Sequence, residues 1–262
     1  MRARSLLVGL LAAAGTVLGF AAPAASAAPP AEADVTPYIV GGHNATQTYS
    51  FMASLQRNGN HFCGGSLVKS NWIVTAAHCV QGTSARQIQV RIGSNDRTSG
   101  GTVARVSRVI VHPAYGRDGT GDIALLQLSS SVRQTPVRIS SEAGPVGTET
   151  RIIGWGQTCP TRGGCGAPRA LQELDTSITD GSGCSNGFDG ETEICTNNPD
   201  GDSGACYGDS GGPQLKAVNG QWELIGATSR AGGRTSTCAV DPSIYTDVTA
   251  YRGWIQQYTG SL

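Results

Sequence analysis

An all-β fold ending in one α-helix is the prediction for this 262-residue chain, and three observations make it. Short stretches rich in Val, Ile and Thr recur along it, set apart by clusters of Gly, Asn, Asp and Ser. Glycine is abundant, at 37 residues, which suits many tight turns. Helical spacing of apolar residues stands out at one place, the tail. Regular spacing of short strands points to a barrel or a sandwich.

In chain order, strands are expected over 61–69, 72–75, 87–92, 106–111, 122–127, 150–154, 221–228 and 243–248. Segment 129–147 is polar and carries Pro136 and Pro145, which suits a linker between two β halves at about 39–135 and 145–245. The tail, 247–258, places Val248, Tyr251, Trp254, Ile255 and Tyr258 on one helical face. Such a stripe is expected to pack onto a β surface.

The N-terminus has the pattern of an export signal. Arg2 and Arg4 precede an apolar run from about Leu6 to Phe20, and Ala25-Ser26-Ala27 offers a small-residue cleavage site. Residues 1–27 are assigned to the signal; processing after Ala27 and after Ala28 both fit. The run is short for a membrane span. Residues 28–38 are Pro- and Ala-rich without hydrophobic periodicity, a flexible pro-segment. Net charge is zero over the whole chain. It stays zero without residues 1–38, which hold Arg2, Arg4, Glu32 and Asp34. No basic face is implied, so nucleic acid is not an expected partner. All 8 cysteines follow the signal, and an even count outside the cell indicates disulfides rather than a metal site.

Three local signals carry chemistry. Gly208-Asp209-Ser210-Gly211-Gly212-Pro213 puts a serine hydroxyl on a tight turn whose glycines let backbone N–H groups approach a substrate. Thr75-Ala76-Ala77-His78-Cys79 follows an apolar strand. Gly121-Asp122 sets one carboxylate at the mouth of another. Taken singly, each has a plainer reading: a Gly-rich turn, a structural histidine, a turn aspartate. Chain order then separates the triad folds. The histidines are His43, His61, His78 and His112, and none follows Ser210, so the α/β-hydrolase order fails. Only Asp34 precedes His78, and it lies in the segment expected to be removed, so the subtilisin order fails as well. The order His, Asp, Ser remains.

The chain resembles the chymotrypsin/trypsin family of serine proteases. The resemblance covers 39–262 and rests on Ile39-Val40-Gly41-Gly42, Thr75–Cys79, Asp122–Leu126, Gly154-Trp155-Gly156, Gly208–Pro213 and Tyr245-Thr246. It implies two packed antiparallel six-stranded β-barrels and a C-terminal α-helix, with His78 and Asp122 from the first barrel and Ser210 from the second. By resemblance, His78 is the general base, Asp122 orients it, and the N–H groups of Gly208 and Ser210 form an oxyanion hole. Ser229 matches the position that bonds the triad aspartate and contacts substrate backbone. Cleavage before Ile39 would free an α-amino group to pair with Asp209, making residues 28–38 an activation propeptide. Tyr38 stands where trypsin-like precursors carry Lys or Arg. Self-cleavage with an aromatic preference and cleavage by another protease both fit.

The same resemblance implies bridges Cys63–Cys79, Cys184–Cys195 and Cys206–Cys238; Cys159 and Cys165 remain and are expected to pair. No cofactor and no metal is expected: no H-E-x-x-H occurs, and the 78–122 loop holds only Asp96 and Asp118 as acids for a calcium site of the kind some relatives carry. At the base of the primary pocket, where trypsin-like members have Asp, stands Gly204, with Ala205 and Ser243 also uncharged and Ala231 at the entrance. A neutral pocket disfavours a buried Lys or Arg and suits large apolar or aromatic side chains. Arg230 occupies the place of a family Trp. Either it stays solvated or it favours acidic groups in the substrate. The expected protein is a secreted, extracellular monomer acting on proteins or peptides, with a possible activating protease and no membrane attachment after signal removal. Two other readings compete: a protease-like binding protein without catalysis, and an esterase. Asn44-Ala45-Thr46 fits a glycosylation sequon.

Overall fold

The computed structural model describes residues 39–117 and 120–262. The signal, the pro-segment with Tyr38, and Asp118 lie outside them. In chain order the elements are β1 (His43–Asn44), β2 (Met52–Arg57), β3 (Asn60–Lys69), β4 (Trp72–Thr75), α1 (Ala77–Val80), β5 (Gln89–Ile92), β6 (Thr102–Val111) and β7 (Ala124–Leu128). There follow β8 (Arg138–Ile139), β9 (Glu149–Gly154), β10 (Gln172–Ser177), β11 (Glu193–Thr196), β12 (Pro213–Val218), β13 (Gln221–Ala231), β14 (Ser243–Asp247) and α2 (Arg252–Thr259).

The first six long strands close into an antiparallel barrel in the order β2-β3-β4-β7-β6-β5, with β5 returning to β2. Its interior is apolar: Leu55, Leu67, Ile73, Val90, Ile92 and Leu125 are sealed from solvent. Burying side chains of this size contributes about 1.5–3 kcal/mol each, and closure removes the unpaired edges an open sheet would expose.

The second half is an eight-stranded sheet, β1-β10-β9-β12-β13-β14-β11, with β8 added alongside β13. Six of these strands close a second barrel. The ends of β10 and β11 are joined by Thr179 N–H to Cys195 O (2.9 Å) and Asn197 N–H to Ser177 O (2.9 Å). The two-residue strands β1 and β8 are additions to this six-stranded ring. Strand β8 lies within 129–147, so the expected linker carries structure: Arg138 and Ile139 run parallel to Glu223 and Leu224.

The sequence reading missed β2, β10, β11 and β12 and the two-residue β1 and β8, and it began the tail helix five residues early. Val248 N–H bonds the β13 carbonyl of Ile225 (2.9 Å), and Asp247 Oδ1 accepts from Thr249 N–H (2.8 Å), so this stretch turns before it coils. The apolar stripe packs as expected. Val248 and Ile255 are fully buried, and His112 of the first half sits edge-on to Tyr251 and Trp254, both at 4.9 Å between ring centroids. Among the described residues no helix is long and apolar enough to cross a membrane.

Candidate active site

His78 lies in the single turn of α1, delivered by the buried strand β4. Asp122 precedes β7, which pairs with β4 so that Thr75 faces Ala124 and the two side chains meet at one end of the barrel. The Asp122 carboxylate takes three bonds: from His78 Nδ1 (2.7 Å) and Ser229 Oγ (2.6 Å) on Oδ2, and from the His78 backbone N–H (2.9 Å) on Oδ1. Only 6% of this residue is exposed. Burial acts to raise its pKa, but the His78 ring, the Ser229 hydroxyl and the His78 amide favour the ionised form and hold it below the usual carboxylate range. An anion here holds the imidazole with Nδ1 protonated, leaving Nε2 as the acceptor.

Ser210 arrives from the second half. Gly64 N–H donates to its carbonyl (2.8 Å), and a Cβ on Gly211 would fall 2.2 Å from Thr75 Oγ1, so the serine turn lies directly against the first barrel. Gly208 has φ +104°, a conformation side chains disfavour, and a Cβ there would meet Gly156 Cα at 3.1 Å. Ser210 and His78 line one cavity of about 440 Å³, and no hydrogen bond joins their side chains. In unliganded sites of this kind such contacts are often long and tighten on binding substrate.

Asp209 is 2% exposed and accepts from the N–H groups of Gly156 (2.8 Å) and Cys206 (2.9 Å). Among the described residues no cation reaches it, and burial pushes its pKa up to about 6 despite both amides. Ile39 is 1% exposed, in a cluster with Ile152, Leu174, Ile194, Ile225 and Tyr245. Val40 bridges Gly204, whose N–H donates to Val40 O (2.8 Å), so this segment is pinned to Gly204.

Gly204, expected at the base of the primary pocket, is not itself among the residues that line the cavity. A Cβ on Gly204 would lie 3.7 Å from Ser243 Oγ and 4.0 Å from Ala239 Cβ. Ala205, Ser229, Ala231 and Ser243 line the cavity, as sequence reading placed them. It missed Tyr207, Thr235–Thr237 and Asp241, which line the same cavity and whose one signal was proximity to Cys238 and Ser243. Arg230 fits neither reading given to it. Its guanidinium is bidentate to Glu193 (2.5 and 2.9 Å) and donates to the carbonyls of Asn186 (3.0 Å) and Gly187 (2.7 Å). Glu193 is buried and charged, and the pair compensates it.

Four disulfides join Cys63–Cys79, Cys159–Cys165, Cys184–Cys195 and Cys206–Cys238. Cys63, His78 and Cys79 gather donor atoms within 4.8 Å, but both sulfurs belong to one bridge and supply no thiolate. Asp96 accepts from the Thr98 hydroxyl (2.6 Å), the Thr98 N–H (2.7 Å) and Arg169 (2.7 Å), and these bonds keep its pKa well below normal.

Two β-barrels with a histidine–aspartate pair and a serine turn at their junction define a serine endopeptidase of the two-barrel class. A family model described as Trypsin matches residues 39–255. The chain is 36% identical over 238 residues to trypsin alpha of Drosophila melanogaster, covering 86% of this chain and 88% of that one. It is also 36% identical to trypsin of Sus scrofa over 233 residues (84% and 94% of the two chains) and to serine protease 1 of Rattus norvegicus over 232 (83% and 88%). The chain belongs to the trypsin family of serine proteases.

Proposed function

We propose that this protein is a secreted zymogen, matured by cleavage between Tyr38 and Ile39, that hydrolyses proteins or peptides as a monomer and prefers large apolar or aromatic side chains over Lys and Arg. The observation that carries the catalytic part is the Asp122 carboxylate, bonded at once to the His78 ring, the His78 amide and Ser229 beside the cavity that holds Ser210.

In this reading His78 Nε2 takes the Ser210 proton as Oγ attacks the scissile carbonyl, then returns it to the leaving amine. Water repeats the sequence to release the acyl group. The N–H groups of Gly208 and Ser210 stabilise the oxyanion, a donor of this kind contributing about 10²–10³ in rate. The freed Ile39 ammonium neutralises Asp209, giving its buried carboxylate the cation that the described residues lack. Specificity follows from the uncharged Gly204 and Ser243: a cation set on that floor loses hydration without compensation.

The test is digestion of a mixed peptide library by protein beginning at Ile39, beside a Ser210→Ala control and the uncut precursor. Cuts after Phe, Tyr or Leu, absent from both controls, are expected. Full activity in the precursor would sink the activation step, and cuts only after Lys or Arg would sink the neutral floor.

A further inference from the structure

Strands β9 and β10 present two different faces. Leu174 pairs with Ile152 across them, and both belong to the apolar cluster that holds Ile39. The neighbouring residues Arg151, Glu173 and Asp175 alternate to the other face. There Glu173, wholly buried, accepts from the Thr46 hydroxyl (2.7 Å), the Tyr49 hydroxyl (2.6 Å) and Arg151 (3.1 Å). Arg151 in turn is bidentate to Asp175 (2.6 and 2.8 Å) and donates to the Tyr49 oxygen (3.0 Å), and His43 Nδ1 stands 3.9 Å from the Glu173 carboxylate. Thr46 and Tyr49 belong to the segment that follows Ile39. Strand β1 fastens the same segment: His43 and Asn44 pair with Glu173 and Gln172, and Ala45 N–H donates to Leu171 O (2.8 Å). Between this anchored stretch and Ile39 lie Gly41 and Gly42. Gly41 has φ +78°, a conformation that favours glycine. A glycine turn thus joins Ile39 to a segment stapled onto β10.

Resting on the activation step proposed above, we infer that Glu173 is a positioning residue for that step: it anchors the hinge about which the freed Ile39 terminus turns inward, and so sets the share of molecules in which the Ile39 ammonium meets Asp209. A carboxylate suits the place because three donors converge on it. An amide of the same size accepts through one oxygen only and turns N–H groups toward the remaining donors. Asp209 holds the ammonium form of Ile39, so the inward state loses its advantage when the amine deprotonates. The more firmly the inward state is favoured, the further the apparent pKa of that amine rises above the free α-amino range of about 7.7–8.0. Neither phenol nor guanidinium of the staple titrates there. Burial and the Glu173 bond push Tyr49 up to about 12, and the Asp175 bond raises Arg151 above its ordinary value.

The experiment measures kcat/KM against pH from about 7 to about 11, across the α-amino titration, for protein beginning at Ile39 and its Glu173→Gln and Tyr49→Phe variants. The uncut precursor and a Leu125→Ala variant are run beside them, and the folded fraction is followed by circular dichroism. In Glu173→Gln the midpoint of the alkaline fall is expected to move to lower pH by at least about half a unit, an about threefold change in the inward equilibrium. Tyr49→Phe, which removes one of the three donors, should move it less and in the same direction. The loss should appear in KM rather than kcat, because substrate binds the inward state and restores it. Leu125→Ala weakens the first barrel and should leave the midpoint in place. A midpoint unmoved in both folded variants, or moved as far by Leu125→Ala, overturns the role of Glu173 while an inactive precursor leaves the activation step standing. A precursor as active as the cut protein overturns the activation step and this inference with it. If Glu173→Gln does not fold, the midpoint of Tyr49→Phe decides.

Discussion

The two barrels share a strand count but differ inside. The first is filled mainly by Leu, Ile and Val, with a few small or neutral polar side chains among them, Ser54, Gln56, Ser66 and Thr75. The second is threaded with buried polar side chains. Gln214 joins Thr150 and Thr196 (both 3.1 Å), and Glu173, wholly buried, receives Thr46 Oγ (2.7 Å), the Tyr49 hydroxyl (2.6 Å) and Arg151 (3.1 Å). Apolar burial is non-directional and tolerates small shifts. A satisfied polar network fixes register and fails when one member is removed. The first barrel is thus the platform for His78 and Asp122. The second holds the parts that depend on partners: Asp209, Arg230–Glu193 and the pocket walls.

This contrast can be broken at several points. Asp122→Asn should lower kcat by about 10⁴ with little change in melting temperature, because the amide keeps the volume but not the acceptor pattern that sets the His78 tautomer. A large drop in stability would mean that Asp122 holds the platform together. Arg230→Leu should destabilise by about 3–5 kcal/mol in denaturant titration, since it leaves Glu193 charged and buried. Adding Glu193→Leu should recover most of that loss, and a double variant no better than the single would remove the pair's role. Leu125→Ala in the first barrel should cost about 2–5 kcal/mol and leave kcat per titrated site unchanged. A shift in its substrate preference would contradict the division between platform and pocket.

The same difference explains what was legible in the sequence. Strands β3, β4, β6 and β7 were found because their apolar residues are dense. Strands β10 (QELDTS), β11 (EICT) and β12 (PQLKAV) were missed because their buried positions include Gln172, Glu173, Glu193, Thr196 and Gln214, which read as surface. A local signal did exist for two missed strands. Asn58-Gly59 and Asn219-Gly220 have positive φ at both residues (51° and 78°; 50° and 76°) and form the two-residue hairpin turns after β2 and β12. The His78–Asp122 pairing could be read from chain order because few histidines compete for it. The Arg230–Glu193 pair could not, since 37 residues separate its partners.

His61 crosses the boundary between the barrels and gives the smallest of the expected effects. It belongs to β3, yet its Nε2 lies 3.0 Å from the carbonyl of Gly208, and its Nδ1 lies 2.9 Å from Ser54 Oγ. A carbonyl only accepts, so Nε2 carries the proton and Nδ1 accepts from Ser54, whose oxygen in turn accepts from Gln56 (3.0 Å). Burial beside Trp155 pushes the His61 pKa down to about 4, with the Gly208 bond opposing. A folded-state value below the unfolded one means that the unfolded chain binds the extra proton first. The stabilisation from neutral His61 is therefore complete above the ordinary histidine value, about 6.5, and is lost as pH falls toward 4. Protonation would also turn Nδ1 into a donor facing Ser54, so the serine hydroxyl would have to turn away. His61→Gln should flatten the fall in unfolding free energy between pH 6.5 and 4 by up to one proton's slope, measured by denaturant titration across that range. If the slope is unchanged, His61 is not the group that couples the two barrels to acid.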